Sequence, residues 1–573
     1  MSSRNTIVAL ALVLGLGGAY AADHYGLIPH GEGSSEGGAG GSRNPRPMPT
    51  GGGGMLDELG SPTELIPEDA FVYIQLASID SFEDLMEIVA ARMDPMLAGA
   101  ITPDAMLGQM LQMVGGDASM VDRNRPVGIA MSMPEGGLQP TPTLILPVGD
   151  PALFARSLTL APGNAMPEVR EHYVGISLSP DYRPMPAPND MSRDLPHTGF
   201  AMRLRMEPIM PMLRPGMQQA QAQAREAAEA SGVSMAGYTA GVDFSMSMME
   251  SLEILDLGFE MQGEQVDIRF GMQFAEGSQL ALEPTTGAAS LAELAGYLSQ
   301  EDTFSMVVAW DRDFLRQTVT PMLDQVLSFA ESDEERASFE AIAKVLNMAP
   351  MFGHQVALSG HIEVGHTRSA FFFHPEAPDA LFQAFPVALE GLDLESAGIV
   401  VSALEEVRFE GGRRAHLTLS LAAADGDPVQ QRQREAFGLL WGGTDIELVL
   451  ASKDGHMAVL IGGDDEWRDA HLERLGHPGT APGGPLGEAL RNVENDAACM
   501  VYQLDMLGVM SGTLQLMAEQ MGLDPSQDLA LLRERAGADR LPITVFAGID
   551  GTRWKGGMSV DWNSFMDLMG ATQ

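Results

Sequence analysis

The chain has 573 residues, with 34 basic against 78 acidic side chains and a formal net charge of −44. That length allows two or three domains, and so acidic a surface repels phosphate backbones and anionic headgroups, which sets nucleic acid aside as a partner class. A hydrophobic fraction of 45% is ordinary for a globular protein, while the single cysteine, Cys499, excludes an intrachain disulfide and a cysteine-cluster metal site.

The first residues, MSSRNTIVALALVLGLGGAYAADHYG, have the layout of a signal peptide. Arg4 and the terminal amine make the charged part, Ile7 to Leu16 the apolar part, and Ala19-Tyr20-Ala21 offers small residues for cleavage. Residues 1–22 are expected to be a signal peptide or, left uncleaved, a membrane tether through 7–22, a run short of the roughly 20 residues that span a bilayer. No cysteine follows this run, so a lipid-modified cysteine is not expected. Residues 23–60 are rich in Gly, Ser and Pro and read as a disordered linker. The protein is therefore expected to be exported, in the periplasm or cell envelope.

The body that follows compares with itself. The stretch PEDAFVYIQL from Pro67 contains Glu68-Asp69-Ala70-Phe71, which matches Glu301-Asp302-Thr303-Phe304. Asp80 and Asp313 fall at the same offset beyond them. GDPALFARSL from Gly149 resembles APDALFQAF from Ala377, and the segment from Ile254 resembles the one from Ile543. Looser copies of the opening strand and helix begin at His197 and Asn495. Two homologous domains are expected, 61–284 and 285–573, each using a strand–helix unit twice. The acidic pairs are expected to keep each strand's entry in water.

Between these units the local chemistry reads as hairpins. Asp454-Gly455 and Asp550-Gly551 each separate two apolar runs, as in a type I′ turn whose central residues both have positive φ. Gly411-Gly412 is expected to act alike. Val266, Ile268 and Phe270 alternate with polar neighbours, the period of a half-buried strand. Helices are expected at TPDAMLGQMLQMVGG, where Met106, Met110 and Met113 share a face, at MQQAQAQAREAAEASG and at DEERASFEAIAKVLNM. Strands mixed with packed helices, without regular βαβ alternation, give an α+β fold class with mostly antiparallel sheet.

Few residues carry a recognisable chemistry. The chain has no nucleophile elbow, zinc-protease helix, phosphate loop or dinucleotide fingerprint, so no catalytic residue and no cofactor is assigned. His354, His361, His366 and His374 crowd one stretch, and imidazoles suit zinc or copper. However, His361 and His366, five apart, point to opposite faces of a straight strand unless a turn at Glu363–Gly365 intervenes. Methionine is abundant, at 39 residues, and three readings stay open. It is adaptable core filler, or it lines a groove for an apolar ligand, with Met106, Met110, Met113, Met206 and Met210 as the candidates. Copper handling through the thioethers is a third. Cys499, in an apolar run, is expected to be a small buried hydrophobe.

The segment from Leu65 to Val89, its return in the second half, and the signal with its Gly-rich linker resemble a family of exported bacterial proteins built on a duplicated domain of unknown function. That resemblance implies an extracytoplasmic α+β protein and brings no catalytic residues with it. The function expected is a non-enzymatic binding or scaffolding role in the envelope, with an envelope protein as partner. The alternative is a module for a lipid or acyl chain in a Met-lined groove, and a hydrolase comes after these.

Overall fold

The structure is a computed structural model that describes most of residues 62–570. The longest stretches outside the described residues are 1–61, 81–107, 159–166, 192–198, 223–247, 279–290, 311–352, 384–398 and 422–433. The expected signal peptide, linker and the greater part of the three sequence-read helices, with Met106, Met110 and Met113, therefore lie outside them.

Nineteen strands are described: β1 (Ala70–Leu76), β2 (Val127–Ser132), β3 (Thr141–Pro147), β4 (Glu168–Val169), β5 (Tyr173–Ser177), β6 (Phe200–Arg205), β7 (Leu252–Gln262), β8 (Gln265–Phe274), β9 (Phe304–Trp310) and β10 (Gln355–His361), followed by β11 (Arg368–Phe373), β12 (Ile399–Val401), β13 (Glu405–Phe409), β14 (Gly412–Leu421), β15 (Asp445–Lys453), β16 (His456–Gly462), β17 (Ala498–Asp505), β18 (Pro542–Asp550) and β19 (Arg553–Asp561). They join into one sheet in which every pairing is antiparallel. With helices packed on it, the fold is α+β and mostly antiparallel.

The order of neighbours follows from the pairings. From one edge it runs β4, β5, β3, β2, β1, β6, β7, β8. β8 then pairs with β19, and the order continues β18, β17, β9, β10, β11, β16, β15, β14. β12 and β13 both pair along the far edge of β14. Outward from the β8–β19 seam the plan is the same on both sides: a hairpin, a strand, a central strand, a second hairpin, and a further strand with its partner. β12–β14 are extra and lie outside that plan.

The registers agree as well. With Phe71 set against Phe304, Ile74 corresponds to Val307; these pair with Ile129 and Ala357, which pair with Leu144 and Phe372. Phe154 follows Leu144 by the same interval that separates Phe382 from Phe372, and both rings are buried. On the other side, Arg205 and Leu504 take equivalent places and pair with Ile254 and Ile543.

The local chemistry explains where elements start and stop. Asp454 (φ 50°) and Gly455 (φ 83°) form the two-residue loop between β15 and β16, as the sequence predicts. At the other Asp-Gly the reading is displaced by one residue. Asp550 is the last residue of β18, paired with Arg553, so Gly551 and Thr552 make the loop. Gly551 has φ 58° and Thr552 is not among the positive-φ residues, which is the type II′ pattern. Gly412 opens β14, and Gly411 is outside the described residues. Helix α1 (Pro151–Ser157) begins where the Asp150 carboxylate accepts from the Leu153 N–H, with proline in the first turn.

The second half of the sheet is covered on both faces. Along β16, Ala458 and Leu460 face a core completed by α2 (Ala292–Ala295), α3 (Asp465–Arg474) and α4 (Gly484–Val493), through Leu294, Leu472, Leu486, Leu490 and Val493. Met457, Val459 and Ile461 face a second core with Phe371, Phe373, Leu381 and Phe382. A strand buried on both sides reads as a continuous apolar run, as HMAVLIG does. β17 runs directly into α5 (Met506–Met521), which packs with α6 (Ser526–Ala536) and α7 (Trp562–Gly570). β8 departs from the clean alternation expected of it: Phe270 is exposed and Asp267 is buried.

Candidate functional site

Sheet registers assemble a site that no stretch of sequence displays. Across the seam, one row of paired residues runs Arg205, Ile254, Gln273, Arg553, on β6, β7, β8 and β19. Because neighbouring residues on a strand point to opposite faces, the adjacent row, Leu204, Leu255, Met272 and Trp554, faces the other way. That apolar row packs with Met206, Met210, Met248, Met249, Leu252 and Phe274, and Trp554 meets Phe274 edge-on at 5.3 Å.

The first row floors a cleft of about 820 Å³. Met210, Pro211, Leu252 and Ala275 give its walls apolar surface, and Arg203 and Arg214 also line it. Of the methionines proposed from sequence, Met206 is buried in the core beneath, 3% exposed, whereas Met210 belongs to both that core and the cleft wall.

The charges have definite places. Arg203 and Asp256 are directly paired, 3% and 4% exposed, and Arg203 donates two hydrogen bonds to the carboxylate, at 2.6 and 2.7 Å. Its remaining amine donates to the Asp190 carbonyl at 2.7 Å. Arg553, from the other side of the seam, approaches the same carboxylate at 3.6 Å. Arg214 pairs with Glu250 at 3.2 Å on the surface. Arg205 is half-buried and makes no hydrogen bond or ion pair among the described residues. The carboxylates that line the cleft, Asp190, Glu207, Glu250 and Glu253, are all exposed, so cations floor it and acids rim it.

The four histidines fall at two ends of one hairpin. Register places His361 opposite Arg368, so the turn at Glu363–Gly365 does not bring His366 across from it. His354 and His374 flank the opposite end, where His354 approaches Glu376 at 3.6 Å and His374 stacks on His456 at 4.6 Å. Among the described residues no group of three or more His, Cys, Asp or Glu is arranged to hold a metal ion.

His361 has a different set of partners. Thr303 Oγ1 accepts from the Ile362 N–H and lies within hydrogen-bond reach of His361 Nδ1, at 3.1 Å. Burial, and then Arg368, hold the imidazole below its usual pKa. Asp302, beside it, is pushed above the usual carboxylate range by burial, against the pull of Ser359, His361, Arg368 and Arg540. Glu68 and Asp69 are exposed, as the expectation that the acidic pairs stay in water has it, whereas Asp302 is half-buried and Glu301 lies outside the described residues. Nearby, Arg540 bonds both the Asp505 carboxylate and the Asp302 carbonyl, tying β17 to the entry of β9.

A second cavity of about 380 Å³ is lined by Glu363, His366, Arg368, Trp441, Glu447 and Arg468, among others. Much of its charge is internally matched: Arg468 pairs with Glu447 at 2.7 Å and Asp465 at 2.9 Å, and Glu447 also meets His416 at 2.8 Å. Cys499 is buried, and burial pushes its thiol up to about 12, which makes it an inert core residue.

No protein-family model matches the chain, and no curated protein does. A solved structure described as "Structure of crystal form I of TP0453" aligns with 50% of this chain and 98% of that one, at 9% identity and a TM-score of 0.19. A likeness that weak carries neither fold nor function across. No helix among the described residues is long and apolar enough to cross a membrane.

Proposed function

We propose that the protein is exported and serves in the cell envelope as a non-enzymatic binding protein, built from two copies of one structural plan, with its ligand cleft where they meet. The observation that carries this is the row Arg205, Ile254, Gln273, Arg553, which floors an 820 Å³ cleft with residues from both sides of the β8–β19 seam. Clefts of about 300–1,000 Å³ with apolar walls and a few placed polar groups are the usual form of a ligand site. Matched strand order and register on either side of the seam support the duplication. Export rests on the layout of residues 1–22.

The apolar surface of Met210, Pro211, Leu252 and Ile254 favours a lipid or acyl chain as occupant over an envelope protein. Native mass spectrometry of the protein taken from its own envelope tests this. Wild type is expected to carry a small-molecule mass that Ile254→Asp, with a charge set into the floor, has lost. A bare wild-type protein, or a variant carrying the same mass, overturns the cleft as the site. N-terminal sequencing tests export separately: an unprocessed Met1 on protein recovered from the cytoplasm overturns it.

A further inference from the structure

We infer that the ligand of the seam cleft is an amphiphile with one anionic head group, a carboxylate or phosphate, which Arg205 holds while the chain lies along Met210, Pro211, Leu252 and Ile254. This rests on the reading of the cleft as the binding site. Three of the four guanidinium groups around the cleft are already engaged: Arg203 with Asp256 and the Asp190 carbonyl, Arg553 with Asp256, Arg214 with Glu250. Arg205 alone has no partner among the described residues, and it stands in the floor, half-buried, beside Ile254. A guanidinium partly removed from water without a counter-charge is costly, and its planar fork matches a carboxylate or phosphate. In a chain of net charge −44, with acidic residues outnumbering basic ones, such a group at a cleft floor calls for an anion from outside.

The surroundings narrow that anion. The exposed carboxylates of Asp190, Glu207, Glu250 and Glu253 surround the entrance and repel any highly charged ligand. A single charge that passes them reaches Arg205, with Arg553 in the same row, while Arg203 is neutralised by Asp256. Beside these charges and the polar Ser251 and Gln273, the wall offers the apolar surface of Met210, Pro211, Leu252 and Ile254, which rewards a chain attached to the head. A free inorganic anion satisfies Arg205 but leaves Met210, Pro211, Leu252 and Ile254 unused.

Isothermal titration of the full-length protein tests the inference. The probes are dodecanoate, dodecyl phosphate, neutral dodecyl maltoside and dodecyltrimethylammonium, each below its micelle concentration, with acetate and inorganic phosphate as bare heads. The anionic dodecyl ligands are expected to bind at least about tenfold more tightly than the neutral one. Arg205→Gln is expected to abolish that difference and leave the neutral ligand unchanged, while Arg170→Gln, exposed beside β4 and away from the cleft, changes little. Circular dichroism checks that each variant is folded; among the described residues the Arg205 side chain has no hydrogen bond or ion pair for the substitution to break. Equal binding of neutral and anionic amphiphiles, unaltered by Arg205→Gln, overturns the anionic head and leaves the cleft standing. Acetate or phosphate binding as tightly as the dodecyl compounds overturns the chain. If no amphiphile binds, or Ile254→Asp is without effect on those that do, the cleft itself is not the site.

Discussion

The Arg203–Asp256 pair gives a quantitative test of how the seam is held. Both side chains are almost fully buried, their two hydrogen bonds are 2.6 and 2.7 Å long, and a third ties Arg203 to the Asp190 carbonyl. Replacing Arg203 by Met leaves the Asp256 carboxylate, among the described residues, with only Arg553, at 3.6 Å, and the Asp190 carbonyl without that donor. Breaking a buried pair from one side costs about 3–5 kcal/mol, because the remaining charge stays buried. Replacing both partners by apolar residues removes that penalty, so Arg203→Met with Asp256→Leu is expected within about 1 kcal/mol of wild type. A double-mutant cycle should therefore show coupling of about 3 kcal/mol or more between the two positions. Urea titration followed by tryptophan fluorescence reads it, with Trp554 packed against Phe274 on the reverse face. Midpoints are compared at unchanged slope, since a changed slope reports a different unfolded state or an intermediate. Single variants that cost less than about 1 kcal/mol, or costs that simply add, would refute the reasoning.

Two further predictions concern the second half. His361 is held neutral below its usual pKa by burial and Arg368, with Asp302, Glu363 and Arg540 also facing it. The unfolded chain takes up a proton there as pH falls through the ordinary histidine range, at about 6.5, and the folded chain does not, so stability is lost towards acid. Thermal melts between about pH 7 and pH 5 should fall more steeply for wild type than for His361→Asn, whose amide can both donate to and accept from Thr303; parallel slopes would exclude His361 as the cause. At the β15–β16 turn, Gly455 has φ 83°, so Gly455→Ala should cost about 1–2 kcal/mol, read as a urea midpoint shift, and a neutral result would deny the turn geometry.

What the sequence made legible was local. Asp454-Gly455 named its own hairpin, and the likeness of PALF to DALF is matched by two buried phenylalanines, Phe154 and Phe382. The turn at Gly551 was displaced by one residue because a glycine with positive φ serves either I′ or II′, and only the Asp550–Arg553 pairing decides which. The seam site was not legible at all. Arg205, Ile254, Gln273 and Arg553 are scattered through the chain, and only three successive registers bring them into line. The methionines near them drew notice, but a strand that changes face at every residue puts Met206 in the core and leaves the cleft to its neighbour Arg205. Asp302 was misread for a related reason. Its match to Asp69 in sequence says nothing of Ser359, Arg368 and Arg540, which arrive from other elements.

The pairing of β8 with β19 has a consequence for any attempt to take the protein apart. Nine consecutive residues of β8, from Gln265 to Gln273, find their mates on a strand about half the chain away in sequence. Cut between the halves, each fragment would present that ladder bare, with unanswered amides and carbonyls beside apolar side chains such as Val266 and Val560. An isolated half is thus a sticky object, prone to recruit a second copy of itself along the same border. In the intact chain the two strands answer each other, and that border is never left open.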